Sequence, residues 1–412
     1  MSKFPVLVIL GLVIPAIVLA TPALAARPVK PVTVNQLAQI LAQARGQKDK
    51  KVARELSGLR LTQRISTPRL EQWETEFPGK HVRQALTELS DASAFLALPP
   101  SDVPRQAPPD VNSLQHILLR SIAYVNKTLR RLPNFFAQRT TAHYEDKPAF
   151  LQDRQPLCSN PSLHAVCLSE ASELGTSMAF HNTPLIFAGE SHATVTYVDG
   201  KEVDNGHSVG AAPPSNPQTG LVTSGEFGPI LTVVLGDAVR GQVYWGYWEQ
   251  GASGLLTVFR YSVPAAKSHY LIALPSGVST ESIKTAYHGE IAIDPAKGTI
   301  FRITVVADPR PPHKQIETSL MVQYGSVVIG GKPYICPVKG VATSRMPAQF
   351  KFPSERASQP LLITRLNDIT FTRYHLFRAD IKVLPGNGSH SAAHAPQEPQ
   401  TLGQSTPMPA IK

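Results

Sequence analysis

Tyr287-His288-Gly289-Glu290-Ile291-Ala292-Ile293 and Thr299-Ile300-Phe301-Arg302-Ile303-Thr304-Val305-Val306-Ala307 are separated only by Asp294–Gly298. Both stretches have the β-branched and aromatic content of strands. The linker is too short for a crossover helix, so the two strands must run antiparallel. The same pattern spreads outward. Gln242–Glu249 and Leu255–Val263 flank Gly251-Ala252-Ser253-Gly254, Ile316–Tyr324 and Lys332–Val338 flank Gly330-Gly331, and Ser268–Leu274 adds another strand. Leu361–Phe377 reads as two strands around Asn367-Asp368. Upstream, Phe135–Tyr144 and Ala193–Val198 are strands, the second turned by Asp199-Gly200, a strong hairpin signal. His207–Gly220 is a loop. Ser224-Gly225-Glu226 caps a helix through Ile230–Val239.

Residues 33–131 follow a helical period instead. Thr33, Asp49, Thr67-Pro68 and Asp110 are starts, and Gly46, Gly58 and Pro78-Gly79 are stops. Val82 to Leu96 reads as one amphipathic helix and Leu114 to Leu129 as another. The expected fold class is α+β: an N-terminal helical bundle, then a curved, mostly antiparallel β-sheet or half-barrel wrapped over a helix. The expected divisions are a signal peptide at 1–25, a helical domain at 26–109, a β domain at 110–385 and a disordered tail at 386–412. That tail mixes Pro396, Pro399, Pro407 and Pro409 with Gly, Ser, Gln and His.

The chain has 412 residues, 42% hydrophobic and 17% charged, which excludes a wholly disordered or collagen-like protein. Its 37 prolines favour short elements and many turns. Lys3, the apolar run Val6–Ala20 and Ala23-Leu24-Ala25 form a cleavable export signal, so a periplasmic or secreted location is expected, with maturation at Ala26. Export permits disulfides. Of the three cysteines, Cys158 and Cys167 lie close enough to pair, while Cys336 reads as a buried strand thiol. Residues 27–147 carry 19 Lys and Arg against 11 Asp and Glu. That basic region could meet an anionic envelope surface. Nucleic acid is not expected, because residues 148–345, which hold the aromatics, carry 13 basic against 15 acidic side chains.

Signatures for a catalytic motif are absent: no Gly-x-Ser-x-Gly, His-Glu-x-x-His, phosphate loop or Cys-x-x-Cys occurs. No cofactor and no catalytic residue is expected. His181, His192 and His207, with Glu190 and Asp204, are weak metal or acid/base candidates at irregular spacing. His390 and His394 lack a companion ligand. The aromatic stretch Tyr244-Trp245-Gly246-Tyr247-Trp248-Glu249 places Tyr244, Gly246 and Trp248 on one strand face and Trp245, Tyr247 and Glu249 on the other. With Leu256 and Val258 of the next strand, Tyr244, Trp245, Tyr247 and Trp248 are candidates to line an apolar cavity.

Leu129-Arg130-Arg131-Leu132-Pro133 leading into Asn134-Phe135-Phe136-Ala137-Gln138-Arg139-Thr140-Thr141 resembles the opening of the lipoprotein-carrier and periplasmic-sensor superfamily typified by LolA, LolB and RseB. Tyr197-Val198-Asp199-Gly200-Lys201 and the hairpin from Gly289 to Arg302 resemble two of its later turns. The resemblance covers roughly residues 115–345. It implies an incomplete antiparallel barrel over helices, with a cavity for acyl chains or a hydrophobic peptide. The expected function is therefore a non-enzymatic exported protein holding a lipid, lipoprotein or other hydrophobic ligand. A hydrolase using the His181–His207 region and a structural protein held to anionic surfaces are the alternatives.

Overall fold

Local chemistry sets the first helices. Thr33 and Gln36 form a reciprocal capping box at the start of α1 (Val34–Gln43). Then come α2 (Asp49–Leu56), α3 (Thr67–Glu76), with Pro68 in its first turn, and α4 (Lys80–Ala92). The Asp110 carboxylate accepts the Ser113 N–H and starts α5 (Val111–Leu129). The computed structural model describes residues 29–146, 184–204, 207–208, 226, 229–252, 254–276, 279–347 and 362–377. The signal segment, the Cys158/Cys167 pair, His181, the helix cap at Ser224-Gly225 and the tail from Gly386 lie outside them.

Two features of the helical region depart from expectation. The short strands β1 (Lys30–Val32) and β2 (Leu59–Leu61) pair in parallel and share a core with Leu37, Leu41, Leu56, Trp73 and Leu86. The helix expected to reach Leu96 stops at Ala92, because Ala94 and Phe95 pack into a cluster with sheet residues instead of continuing the helix.

The strands are β3 (Phe135–Glu145), β4 (Ile186–Val198), β5 (Lys201–Asp204), β6 (His207–Ser208), β7 (Gln242–Gly251), β8 (Gly254–Val263), β9 (Leu271–Ser276), β10 (Ser279–Lys284), β11 (Ala286–Ile293), β12 (Ile300–Asp308), β13 (Glu317–Ile329), β14 (Lys332–Pro347) and β15 (Leu362–Leu376); α6 (Pro229–Ala238) precedes β7. The chain is thus α+β. Eleven strands form one sheet in the order β6-β5-β4-β3-β15-β14-β13-β12-β11-β8-β7, with every neighbouring pair antiparallel. It does not close, since β6 and β7 are its edges. β9 and β10 form a separate hairpin. Asp199 and Gly200 turn β4 into β5 with positive φ (52° and 80°), and Gly330 and Gly331 do the same between β13 and β14 (58° and 81°).

Alternation along the strands sorts the side chains into two faces. Val322, Ile303, Ile291 and Tyr261 lie on one, in a core that also takes Ile117 and Val125 of α5 and Ile230 and Val234 of α6. Met321, Val341, Leu366 and Tyr144 lie on the other, with Ala94.

The expected break at Asn367-Asp368 does not occur. Both residues are paired on two sides, with β14 and with β3, so β15 runs unbroken; its irregularity falls between Thr372 and His375, where Arg373 has φ 51°. The expected faces of the aromatic stretch also change. A bulge at Gly246 shifts the register: Tyr244 and Tyr247 oppose Arg260 and Val258, while Trp245 and Trp248 oppose Phe259 and Thr257. The two tryptophans therefore share one face, and the two tyrosines share the other with Glu249. One extra residue in a strand inverts every alternation beyond it.

Candidate functional site

A cleft of about 520 Å³ opens where α2, β2 and α4 meet β3, β14 and β15. Leu56, Ala85 and Leu89, positions that helical periodicity turns inward, supply its helical wall, and Leu61 of β2 extends it. Tyr144, Leu362 and Leu366 supply the sheet wall, and Leu185 lines the approach. Phe187 meets the Tyr144 ring edge-on and, like Ile186, is exposed.

Four charged side chains line this cleft: Arg60, Glu88, Asp146 and Arg345. Burial raises the Glu88 carboxyl pKa above the usual range, against the lowering effect of hydrogen bonds from Gln84 and Tyr144. Asp146 is raised by burial too, although its Oδ1 accepts the Thr364 N–H at 2.7 Å. Both carboxyls thus have donors inside the protein. Arg60 is exposed and has no ion-pair partner among the described residues. The opening thus combines leucine side chains with charged ones, and among the described residues Arg60 is the lining cation without an ion-pair partner.

Behind α4 lies a buried charge cluster. Lys339 of β14 sits 2.7 Å from Asp91 and 3.5 Å from Asp368. A second cluster ties the helical region to the sheet. Glu249 accepts two hydrogen bonds from Arg64 (3.0 and 2.9 Å) and two from Arg302 (2.5 and 2.7 Å), and Tyr247 donates to Glu290 at 2.7 Å. Burial would raise the Glu249 pKa, but Arg302 and Arg64 outweigh it and hold the carboxyl well below the usual range.

The sequence candidates are placed as follows. Tyr247 belongs to the charge cluster, where it accepts from Arg64. Trp248 is buried and donates to the Ala107 carbonyl. Val258 is fully buried, Leu256 half-buried, Trp245 half-buried, and Tyr244 exposed. None of the six lines the cleft. Beneath α5, Tyr124, Leu129, Leu231, Tyr324 and Cys336 border a cavity of only about 20 Å³, room for a single water. His192 pairs with Glu190 at 3.0 Å on exposed surface and contacts Thr140. The side chains of Asp204 and His207 lie outside the described residues. No group of three or more His, Cys, Asp or Glu that could hold a metal occurs among the described residues.

Sequence reasoning missed the cleft. Its residues come from Val29 to Leu366 without a common motif, and only helical periodicity marked Leu56, Ala85 and Leu89. No helix among the described residues is long and apolar enough to cross a membrane. No family model matches the chain, and neither a curated protein nor a solved structure matches it.

Proposed function

We propose that the protein is an exported, non-enzymatic binding protein that holds a hydrophobic or amphipathic ligand of the cell envelope in this cleft. On this reading the sheet is a half-barrel curved over α5 and α6, and α1–α4 form a bundle against its other face. The carrying observation is the 520 Å³ opening with leucines in its walls and Arg60 beside them, unpaired among the described residues. The succession of α5, β3 and the Asp199-Gly200 hairpin supports the likeness to lipoprotein carriers. The ligand goes to the cleft because the space under α5 is filled.

Covering ~300 Å² of apolar ligand surface contributes roughly 7 kcal/mol at about 25 cal/mol per Å². Association costs subtract from that, so affinity is micromolar at best, suited to handover rather than storage. The excess of basic residues at 27–147 favours contact with an anionic envelope surface, and nucleic acid is not a partner.

Native mass spectrometry of the protein purified from its own host tests the reading, together with binding of an uncharged apolar fluorophore. A co-purifying lipid and saturable fluorophore binding that Leu362→Trp abolishes are expected. A folded protein that carries no lipid and binds no fluorophore would overturn it.

A further inference from the structure

Ser191, His143 and Asn367 stand side by side on β4, β3 and β15, on the sheet face opposite Tyr144. The Ser191 hydroxyl is 2.9 Å from His143 Nε2, and His143 Nδ1 is 2.9 Å from Asn367 Oδ1. Asn367 is 3% exposed and is the direct cross-strand partner of His143 on a central strand, so its carbonyl is fixed in place. A carbonyl oxygen only accepts, so Nδ1 must carry the imidazole proton. Nε2 is then left with its lone pair toward the Ser191 O–H. A hydroxyl on a base, and the base oriented by a third group, is the arrangement that makes serine a nucleophile.

The backbone adds the space such a group needs. His143 faces Gly189 across the ladder, and the next pair is Tyr144 with Phe187, so Ala188 is an extra, unpaired residue. Bulges of this kind re-aim neighbouring side chains. Gly189 has φ 146°, a conformation suited to glycine, and a Cβ built there meets nothing within 4 Å. With no side chain opposite it, the imidazole can lean along the strand to Ser191, and open space remains at Gly189. Ser191 itself is exposed.

We propose that Ser191 is a modification site, a primed nucleophile that accepts an acyl group from activated esters or thioesters. The Ser191 oxygen bonds to the acyl carbon while its proton passes to His143 Nε2. The carbon–leaving-group bond breaks, and His143 returns that proton to the departing alkoxide or thiolate. The balance is one acyl-serine and one free alcohol or thiol.

The test treats the full chain with p-nitrophenyl acetate and, separately, with a fluorophosphonate, and maps adducts by peptide mass spectrometry. Ser191 should be modified by both reagents. His143→Gln should slow the reaction at least about a hundredfold, the usual contribution of a general base, and Ser191→Ala should remove the adduct. Asn367→Ala should also slow it, with recovery in Asn367→Asp. Unmodified Ser191 in the folded wild type, or a rate unchanged in a folded His143→Gln protein, would overturn the proposal.

Discussion

Replacing Asp91 by Asn should remove the pH dependence that this one residue imposes on stability. Asp91 is fully buried on α4, and Lys339 satisfies its Oδ1, while Oδ2 has no donor. Burial raises its pKa most; Lys339 pulls it down and the nearby Asp368 carboxylate pushes it up again, leaving it at about 7 against an ordinary 3.8. The folded state therefore holds a proton that the unfolded chain releases between pH 3.8 and about 7. Across that window stability falls as pH rises, by about 1.36 kcal/mol per unit. The total is about 4 kcal/mol, present in full below the lower limit and lost above the upper one. Asn keeps the shape, accepts from Lys339, can donate to Asp368 and carries no charge. The free-energy difference between Asp91→Asn and wild type should therefore shift by about 4 kcal/mol in favour of the variant from pH 4 to pH 8. Urea unfolding followed by tryptophan fluorescence at several pH values measures this directly. Parallel profiles, within about 1 kcal/mol of each other, would refute the assignment of the buried proton to Asp91.

Glu249→Ala leaves the Arg64 and Arg302 guanidiniums buried without their shared carboxylate and should cost about 3–5 kcal/mol in denaturant unfolding. Wild-type Glu249, with its lowered pKa, contributes stability above its ordinary 4.5 that is lost in stronger acid; the variant should lack that acid-sensitive component. Gly289→Ala would put a Cβ 1.9 Å from the Thr304 carbonyl oxygen across β11 and β12. The strands must part to admit it, so thermal unfolding should move down by several degrees or more, for a cost of at least about 1–3 kcal/mol. Cys336 is 1% exposed, and burial pushes its pKa up to about 12. Its peptide should resist alkylation at pH 8 in the native protein and react fully in denaturant, as peptide mass spectrometry will show.

Much of the architecture was legible because its signals are short-range. Thr33 with Gln36 and Asp110 with Ser113 fix helix starts within four residues, and Asp199-Gly200 and Gly330-Gly331 fix turns within two. Linkers too short for crossovers made the sheet antiparallel. Capping, turn geometry and period are properties of neighbours along the chain, so the amino-acid order alone determined them. Tertiary structure decided the rest, because it depends on partners that the order does not name. The bulge at Gly246 put Trp248 on the face of Trp245 and Tyr244 on that of Tyr247 and Glu249, and tertiary packing brought Arg64 to Glu249, 185 residues away. Pairing of β3 with β15 set His143 against Asn367, 224 residues away. A buried carboxylate such as Asp91 is indistinguishable in sequence from a solvated one on the same helix; only the removal of water around it, and the choice of Lys339 and Asp368 as neighbours, gives it a proton near neutral pH.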